Sequence, residues 1–379
     1  MTDRPVGLPR VSPMPSGPLR ATVTVEQLWQ RVPGGSGTYV ARITQALQAR
    51  DDVEVTGISA RHAAPPPPDW PLDVPVRAVP LPRRALYDAW QLARAPRAEW
   101  VVPRSQVVHA TTWAVPPTRL PLVVTVHDLA FLHDASHFTL RGNRYFRRSL
   151  DDVRRHADAV VVPSRATADE CVAAGIDAAR VHVVPHGVDA VRPDPAAVSA
   201  WRARVGLARP YVLWCGTVEP RKNLATLLQA FAAMRGVPVD LVLVGPPGWG
   251  DVPVHPQGLD PRRVHALGHV SREDLATAYA GAAAFCFPSL REGFGLPVLE
   301  AMAHGVPVVT SAGTACAEVA GDAGLLVEPT DVDGMARALE AAVEDDGTMA
   351  AASRARAAAF TWSEAAARTA EVYRSVAGS

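Results

Sequence analysis

Lysine is almost absent from this chain: Lys222 is the only one among 38 basic residues. On composition alone a single survivor carries no message, and its neighbours have to decide its weight. An excess of either charge is missing too, since 38 acidic residues balance the 38 basic ones. Without a basic surplus to neutralise phosphates, nucleic acid is not an expected partner, and any anion must be held by local groups. Cysteine is scarce. Cys171, Cys215, Cys286 and Cys316 are far apart and form no CxxC pair, which argues against a zinc site or a disulfide framework and fits a reducing cytoplasm. Uninterrupted apolar runs of about 18 residues are lacking, so no segment is expected to span a bilayer, while attachment to a membrane surface stays open. The first twenty residues are rich in proline and arginine and have no apolar core. They read as a loose tail over 1–20 rather than a signal peptide.

What is present is the apolar content of a folded protein. Of 379 residues, 48% are hydrophobic and 20% charged, and at roughly 100–200 residues per domain this length predicts two domains, each with a core. Residues 21–28 read as a first strand, followed by a glycine loop and a helix ending near Arg50. A strand at 53–59 runs into a proline-rich loop at 64–71, then a short strand near 74–79 and a helix near 84–95. β-branched runs recur at 107–110, 122–128, 159–164 and 181–187. The same beat restarts at 211–217, with a helix over 223–234 and strands at 241–248, 264–268, 283–289, 306–311 and 324–329. This alternation predicts two α/β halves with parallel sheets, joined by a proline-bearing linker near 188–210. Ligands of such sheets sit beyond the carboxyl ends of the strands, which points to the crevice between the halves.

Several strand-end segments carry chemistry. Gly34-Gly35-Ser36-Gly37 either brings backbone N–H groups close to an anion at a helix start or is a glycine turn packed on the sheet. No acidic residue stands at the distance a dinucleotide ribose would need, so a dinucleotide site is not expected. Residues 215–223, CGTVEPRKN, place Arg221 and Lys222 side by side after a strand, with Asn223 as the expected N-cap of the next helix. That pair is either an anion site or a solvated basic loop. The strongest segment is REGFGLPVLEAMAHG, 291–305. Glu292 precedes Gly293, Phe294, Gly295 and Leu296, Pro297 opens a helix, Glu300 lies about one turn inside it, and Gly305 closes it. Exposed amides at a positive helix end suit a diphosphate, and the two carboxylates suit sugar hydroxyls, the alternative being a capping acid and a surface acid. His127-Asp128 stands at another strand end, where the imidazole either bonds a reacting group or serves structure. His186-Gly187 reads as a turn into the linker. Residues 141–155 mix arginines with Tyr145, Phe146 and Leu150 and form either a solvated helix face or one that rests on an anionic membrane.

Taken together, these segments closely resemble the retaining, nucleotide-sugar-dependent glycosyltransferases of family 4, whose GT-B fold sets two Rossmann-like domains face to face. The resemblance is carried by GTVEPRKN, LVLVGP, LGHVSREDLATAYAGA, the E-x7-E pattern of EGFGLPVLEAMAHGVPVV, and GLLVEPTD in the second half, in the family's order. GGSGTYV, VTVHDL, VVPSRAT and VVPHGVD carry it more weakly in the first half. One departure is GGSG itself, where family members often have a bulkier residue before the last glycine.

The resemblance implies an acceptor-binding domain over 21–190, a donor-binding domain over 191–359, and a closing helix within 360–379 that crosses back to the first domain. It implies that Arg221 and Lys222 bind the donor diphosphate and stabilise its leaving charge, so that no metal is required. Glu292 would contact the transferred sugar, Glu300 the ribose, and the amides of Gly293, Phe294, Gly295 and Leu296 the sugar and phosphates. Gly216 would belong to the same donor site, Val270 and Leu275 would flank the base, His127 would sit over the reacting sugar, and Gly35 would close on the diphosphate from the other domain. The expected donor is GDP-mannose, with UDP- or dTDP-sugars as alternatives, and the acceptor is a glycan, a lipid-linked sugar or a small molecule. Three rival readings remain: a UDP-N-acetylhexosamine 2-epimerase of the same fold, a glycosidase using two carboxylates, and a noncatalytic sugar-nucleotide-binding subunit.

Overall fold

Valine-rich runs, buried on both faces, form two parallel sheets. A computed structural model describes residues 17–133, 139–189, 192–248 and 259–378. The first sheet takes β1 (Leu19–Thr24), β2 (Val53–Ser59), β3 (Val76–Ala78), β4 (Val107–Ala110), β5 (Leu122–Thr125), β6 (Ala159–Val162) and β7 (Val181–Val183), in the spatial order β3-β2-β1-β4-β5-β6-β7. The second takes β8 (Tyr211–Cys215), β9 (Asp240–Val244), β10 (Val264–Gly268), β11 (Ala284–Phe287), β12 (Val308–Ser311) and β13 (Leu325–Val327), in the order β10-β9-β8-β11-β12-β13. Every pairing is parallel. Helical crossovers therefore cover both faces, and all strands of a sheet deliver their carboxyl ends to one edge.

Four expectations are corrected. Residues 1–16 of the expected tail lie outside the described residues, and Leu19 and Arg20 already belong to β1. The first strand stops at Thr24 rather than at 28, because Glu26–Trp29 winds into a 3₁₀ turn, and the glycines that follow are the first turn of the helix Gly34–Gln48 rather than a loop. The linker read at 188–210 contains the helix Pro195–Arg204. Asp194 caps it by accepting from the Ala196 N–H at 2.8 Å, and proline at a first-turn position costs no hydrogen bond. Finally, the aromatic residues of the helix Leu140–His156 face the protein: Tyr145 stacks on Tyr87 with centroids 5.6 Å apart and Phe146 on Phe131 at 5.4 Å. They do not form an outward apolar face. No described helix is long and apolar enough to cross a membrane.

The helix Trp362–Ala377 packs against Gly34–Gln48 on the first domain, filling its core with Trp362, Ala366, Ala370 and Tyr373. Two segments of chain therefore pass between the domains, and they touch: the Val188 N–H donates to the Phe360 carbonyl at 3.1 Å. Gly187 has no room for a side chain there, since a Cβ would stand 2.2 Å from the Trp362 nitrogen. Further bonds draw the domains together. The Ser164 hydroxyl donates to the Gly293 carbonyl at 2.7 Å, and the Glu318 carboxylate accepts from the Arg165 and Ala166 amides at 2.8 and 2.7 Å.

Under the closing helix lies a buried polar network. The His109 ring bonds the Tyr373 hydroxyl at 2.6 Å and the Thr125 hydroxyl at 2.7 Å, and Tyr39 bonds Thr125 at 2.9 Å. Burial holds the His109 imidazole down to about 3, and it also holds His127 and His186 below the usual histidine range. The unfolded chain takes up the His109 proton near pH 6.5 and the folded one does not until about pH 3, so stability falls as pH drops from about 6.5 toward 3, and the depressed His127 and His186 act in the same direction. His109 contributes a slope of about 1.4 kcal/mol per pH unit within that window. Denaturant melts at successive pH values should show this loss, and His109→Gln should flatten it; an unchanged slope in the variant would refute the assignment.

Candidate functional site

Strand β8 ends at Cys215, and the chain then makes a 3₁₀ turn over Pro220–Lys222. Asn223, which starts the next helix in a left-handed conformation (φ 55°), does not cap it with its side chain as expected. Its amide instead donates to the Pro288 carbonyl at 3.1 Å and the Pro329 carbonyl at 2.6 Å, tying together the loops that follow β8, β11 and β13. This clamp fixes the turn that carries Arg221 and Lys222. Lys222 is buried, with its ammonium 4.8 Å from the centre of the Phe287 ring.

The loop after β11 brings Glu292 to that ammonium at 2.5 Å and to the Arg221 guanidinium at 3.2 Å. The Ser289 hydroxyl also donates to Glu292, at 2.7 Å, and Arg221 is shared with Glu219 at 2.9 Å. Burial alone would raise the Glu292 carboxyl, but Lys222 and Arg221 outweigh it and hold the group below the ordinary carboxylate range. Gly295 (φ 104°) then lets the chain enter the helix Leu296–Ala303, in whose first turn Pro297 has no N–H and the Val298 amide donates to the Gly295 carbonyl at 3.0 Å. One turn in, Glu300 accepts from the Tyr279 hydroxyl at 3.1 Å, and burial raises its carboxyl.

From the first domain come the start of the helix Gly34–Gln48 and the loop after β5. A Cβ on Gly35 would meet Leu296 of the opposite domain at 3.4 Å, which marks how narrow the cleft is there. The His127 Nε2 lies 3.0 Å from the Thr111 carbonyl. A carbonyl only accepts, so Nε2 carries the proton, and Nδ1 of the neutral ring is left as an acceptor. Asp128 accepts from the Ala130 amide at 3.1 Å.

These groups enclose an interdomain cavity of about 480 Å³, and every residue that the family resemblance assigned to the site lines it: Gly35, His127, Gly216, Arg221, Lys222, Val270, Leu275, Glu292, Gly293, Phe294, Gly295, Leu296 and Glu300. Phe294 has a further use, because its ring wedges between His186 and Phe360 with centroids 4.9 and 6.1 Å away. The sequence reading missed other members. His186, read as a turn, is buried against Tyr39 and Trp362, and its Nδ1 has no partner among the described residues. Arg272 reaches across the cleft to the Asp69 carbonyl at 3.0 Å and the Thr38 hydroxyl at 3.1 Å, and it lines the cavity with Trp70. No spacing rule could have paired Arg272 with Thr38, and the HG dipeptide was the only trace of His186. Among the described residues, no group of three or more His, Cys, Asp or Glu is placed to hold a metal ion.

The sequence matches the family model Glycosyltransferase Family 4 over residues 33–192 and Glycosyl transferases group 1 over 209–345. It is 31% identical to O-antigen chain mannosyltransferase B of Escherichia coli over 76% of this chain and 80% of that protein. It is 32% identical to the D-inositol 3-phosphate glycosyltransferase of Xylanimonas cellulosilytica, over 90% and 91% of the two chains. Among solved structures, Anabaena Alr3699/HepE in complex with UDP and glucose superposes with a TM-score of 0.71 at 22% identity, covering 94% of this chain and all of that one. Two opposed parallel-sheet domains, a cleft built from their strand ends and relatives matched over most of their length lead to one assignment: this chain belongs to glycosyltransferase family 4 and has the GT-B fold.

Proposed function

We propose that this glycosyltransferase moves a hexose, with retained anomeric configuration, from a nucleoside diphosphate sugar to an acceptor hydroxyl, GDP-mannose being the favoured donor. The observation that carries the reading is the ion-paired cluster of Lys222, Arg221 and Glu292, which lines the interdomain cavity together with Glu300. In the reaction, the bond between the anomeric carbon and the diphosphate oxygen breaks, and the electron pair leaves with the nucleoside diphosphate. The acceptor oxygen forms the new bond, and its proton passes to the diphosphate. Arg221 and Lys222 stabilise the charge that develops on the leaving group, and they are already fixed in place by the Asn223 clamp, so little reorganisation is needed. Glu292 takes hydroxyls of the transferred sugar, Glu300 those of the ribose, and the start of the helix Gly34–Gln48 and the segment Gly293 to Leu296 offer their amides to the phosphates. Because two fixed cations meet the diphosphate, the reaction is proposed to be independent of metal. Mannose as the transferred sugar is favoured by the name of the E. coli relative, and the UDP and UDP-glucose ligands of HepE support a UDP-sugar as the alternative donor.

A thermal-shift panel of GDP, UDP, dTDP and ADP tests the donor. A diphosphate held at 100 times its Kd should stabilise the protein by about 2.7 kcal/mol, and GDP is expected to give the largest shift. EDTA should leave both that shift and the transfer rate within twofold. A protein that none of the four nucleotides stabilises would overturn the proposal, and NMR of the product's anomeric proton decides whether configuration is retained.

A further inference from the structure

A second cavity, of about 460 Å³, lies on the first-domain side of the cleft and shares Ser36, His127, Asp128, Glu219 and Arg221 with the donor cavity. The two spaces meet at His127 and Arg221, where a transferred sugar would change hands. The far wall is aromatic. Trp113 stands edge-on to Phe131 with centroids 5.3 Å apart, beside the stacked pair of Tyr87 and Tyr145. Amide and hydroxyl groups of Gln27, Gln30 and Thr112 share the lining.

Its charge is unlike that of a phosphate site. Arg221 is the only arginine or lysine among the described residues of the lining, and its guanidinium is already held by Glu219 at 2.9 Å and Glu292 at 3.2 Å. Asp128 and Glu219 add two carboxylates, and His127 is kept neutral by burial. A phosphorylated acceptor would bring its dianion to a lining with more negative than positive charge, whose one cation, Arg221, is also claimed by the donor diphosphate. A flat aromatic aglycone would cover the rings but offer few hydrogen bonds to the remaining lone pairs of Gln27, Gln30 and Asp128. A neutral sugar ring answers both walls, with its C–H face on the aromatic residues and its hydroxyls exchanging hydrogen bonds with Gln27, Gln30 and Asp128.

From this we infer that the second cavity is the acceptor subsite and that it selects an uncharged glycosyl residue, held ring-face against Trp113 with a hydroxyl directed to the junction at His127. The inference rests on the glycosyltransferase reading above. It covers the terminal sugar of a free glycan and that of a lipid-linked one.

The test is an acceptor panel with the donor chosen by the nucleotide shifts: methyl α-D-mannopyranoside, octyl α-D-mannopyranoside, mannose 6-phosphate, D-myo-inositol 3-phosphate and 4-nitrophenol. The neutral mannosides should exceed the phosphates and the phenol by at least 10-fold in kcat/KM. Equal rates for the methyl and octyl forms point to a free glycan end, and a large gain for the octyl form points to a lipid-linked sugar. Trp113→Ala should raise KM for the mannosides at least 10-fold, and Trp113→Phe should recover most of that loss, which a merely structural role would not require. The nucleotide shift of each variant, measured on the same sample, reports whether its donor cavity is intact. Preference for a phosphorylated or phenolic acceptor would overturn the inference, as would donor hydrolysis without transfer to either mannoside, and both results leave the glycosyltransferase reading standing. Failure to bind any nucleotide would instead remove that reading.

Discussion

Replacing Lys222 by alanine is expected to lower kcat/KM for the donor by about 10- to 100-fold or more, because one charge-assisted donor contributes roughly 1.5–3 kcal/mol. The ammonium is buried between Phe287 and Glu292, so no solvent-borne cation replaces it readily. The pH profile should change in a definite direction as well. Lys222 and Arg221 together hold the Glu292 carboxyl down against the effect of burial. With Lys222 gone, burial gains weight, and the acid limb of kcat/KM should move to higher pH. Loss of one partner also leaves a buried carboxylate underpaired, which costs stability. The double variant K222A/E292Q should recover that stability without recovering turnover. Normal donor turnover in Lys222→Ala would remove the cationic pair from the mechanism.

Gly293→Ala should be at least as damaging, for a steric reason. A Cβ at this position would stand 1.7 Å from the His127 carbonyl oxygen, which is backbone and cannot rotate aside. The same residue's carbonyl accepts from Ser164 at 2.7 Å and Thr167 at 3.0 Å, so the loop has no free side toward which to shift. The domains must then separate locally, and a displacement near 1 Å between reacting groups costs about 100-fold in rate. We expect a loss of kcat of about that size with nucleotide binding to the second domain largely kept, measured by calorimetry alongside steady-state rates. A variant with full kcat would show that the contact between Gly293 and His127 is dispensable.

The sheets were legible because strands buried on both faces leave continuous valine-rich runs; the strands at 53–59, 107–110 and 264–268 agree with the structure end for end. Elsewhere the reading overran. The run 122–128 ends as a strand at Thr125, and 181–187 ends at Val183. Apolar composition continues past the point where the chain leaves the sheet, and those overrun residues, His127 and His186 among them, are the ones that turn into the cleft. The helix Pro195–Arg204 was hidden by the same proline and aspartate that start it, since both residues also mark loops. The RK pair and the two glutamates were visible because glycines and a proline bracket them in sequence. Arg272 and Trp70 were not, because their place in the site comes from contacts between elements about 200 positions apart, to which local spacing is blind.

The paired crossings at Val188 and Phe360 bear on how this molecule moves. A lone thread would let one lobe swivel freely about its axis, scrambling the alignment of the two edges on every excursion. Two plies stitched side by side act as a flexure: soft in bending, stiff in torsion. Any parting of the lobes is thereby steered toward bending about these crossings rather than twisting, which keeps the opposing edges in mutual register.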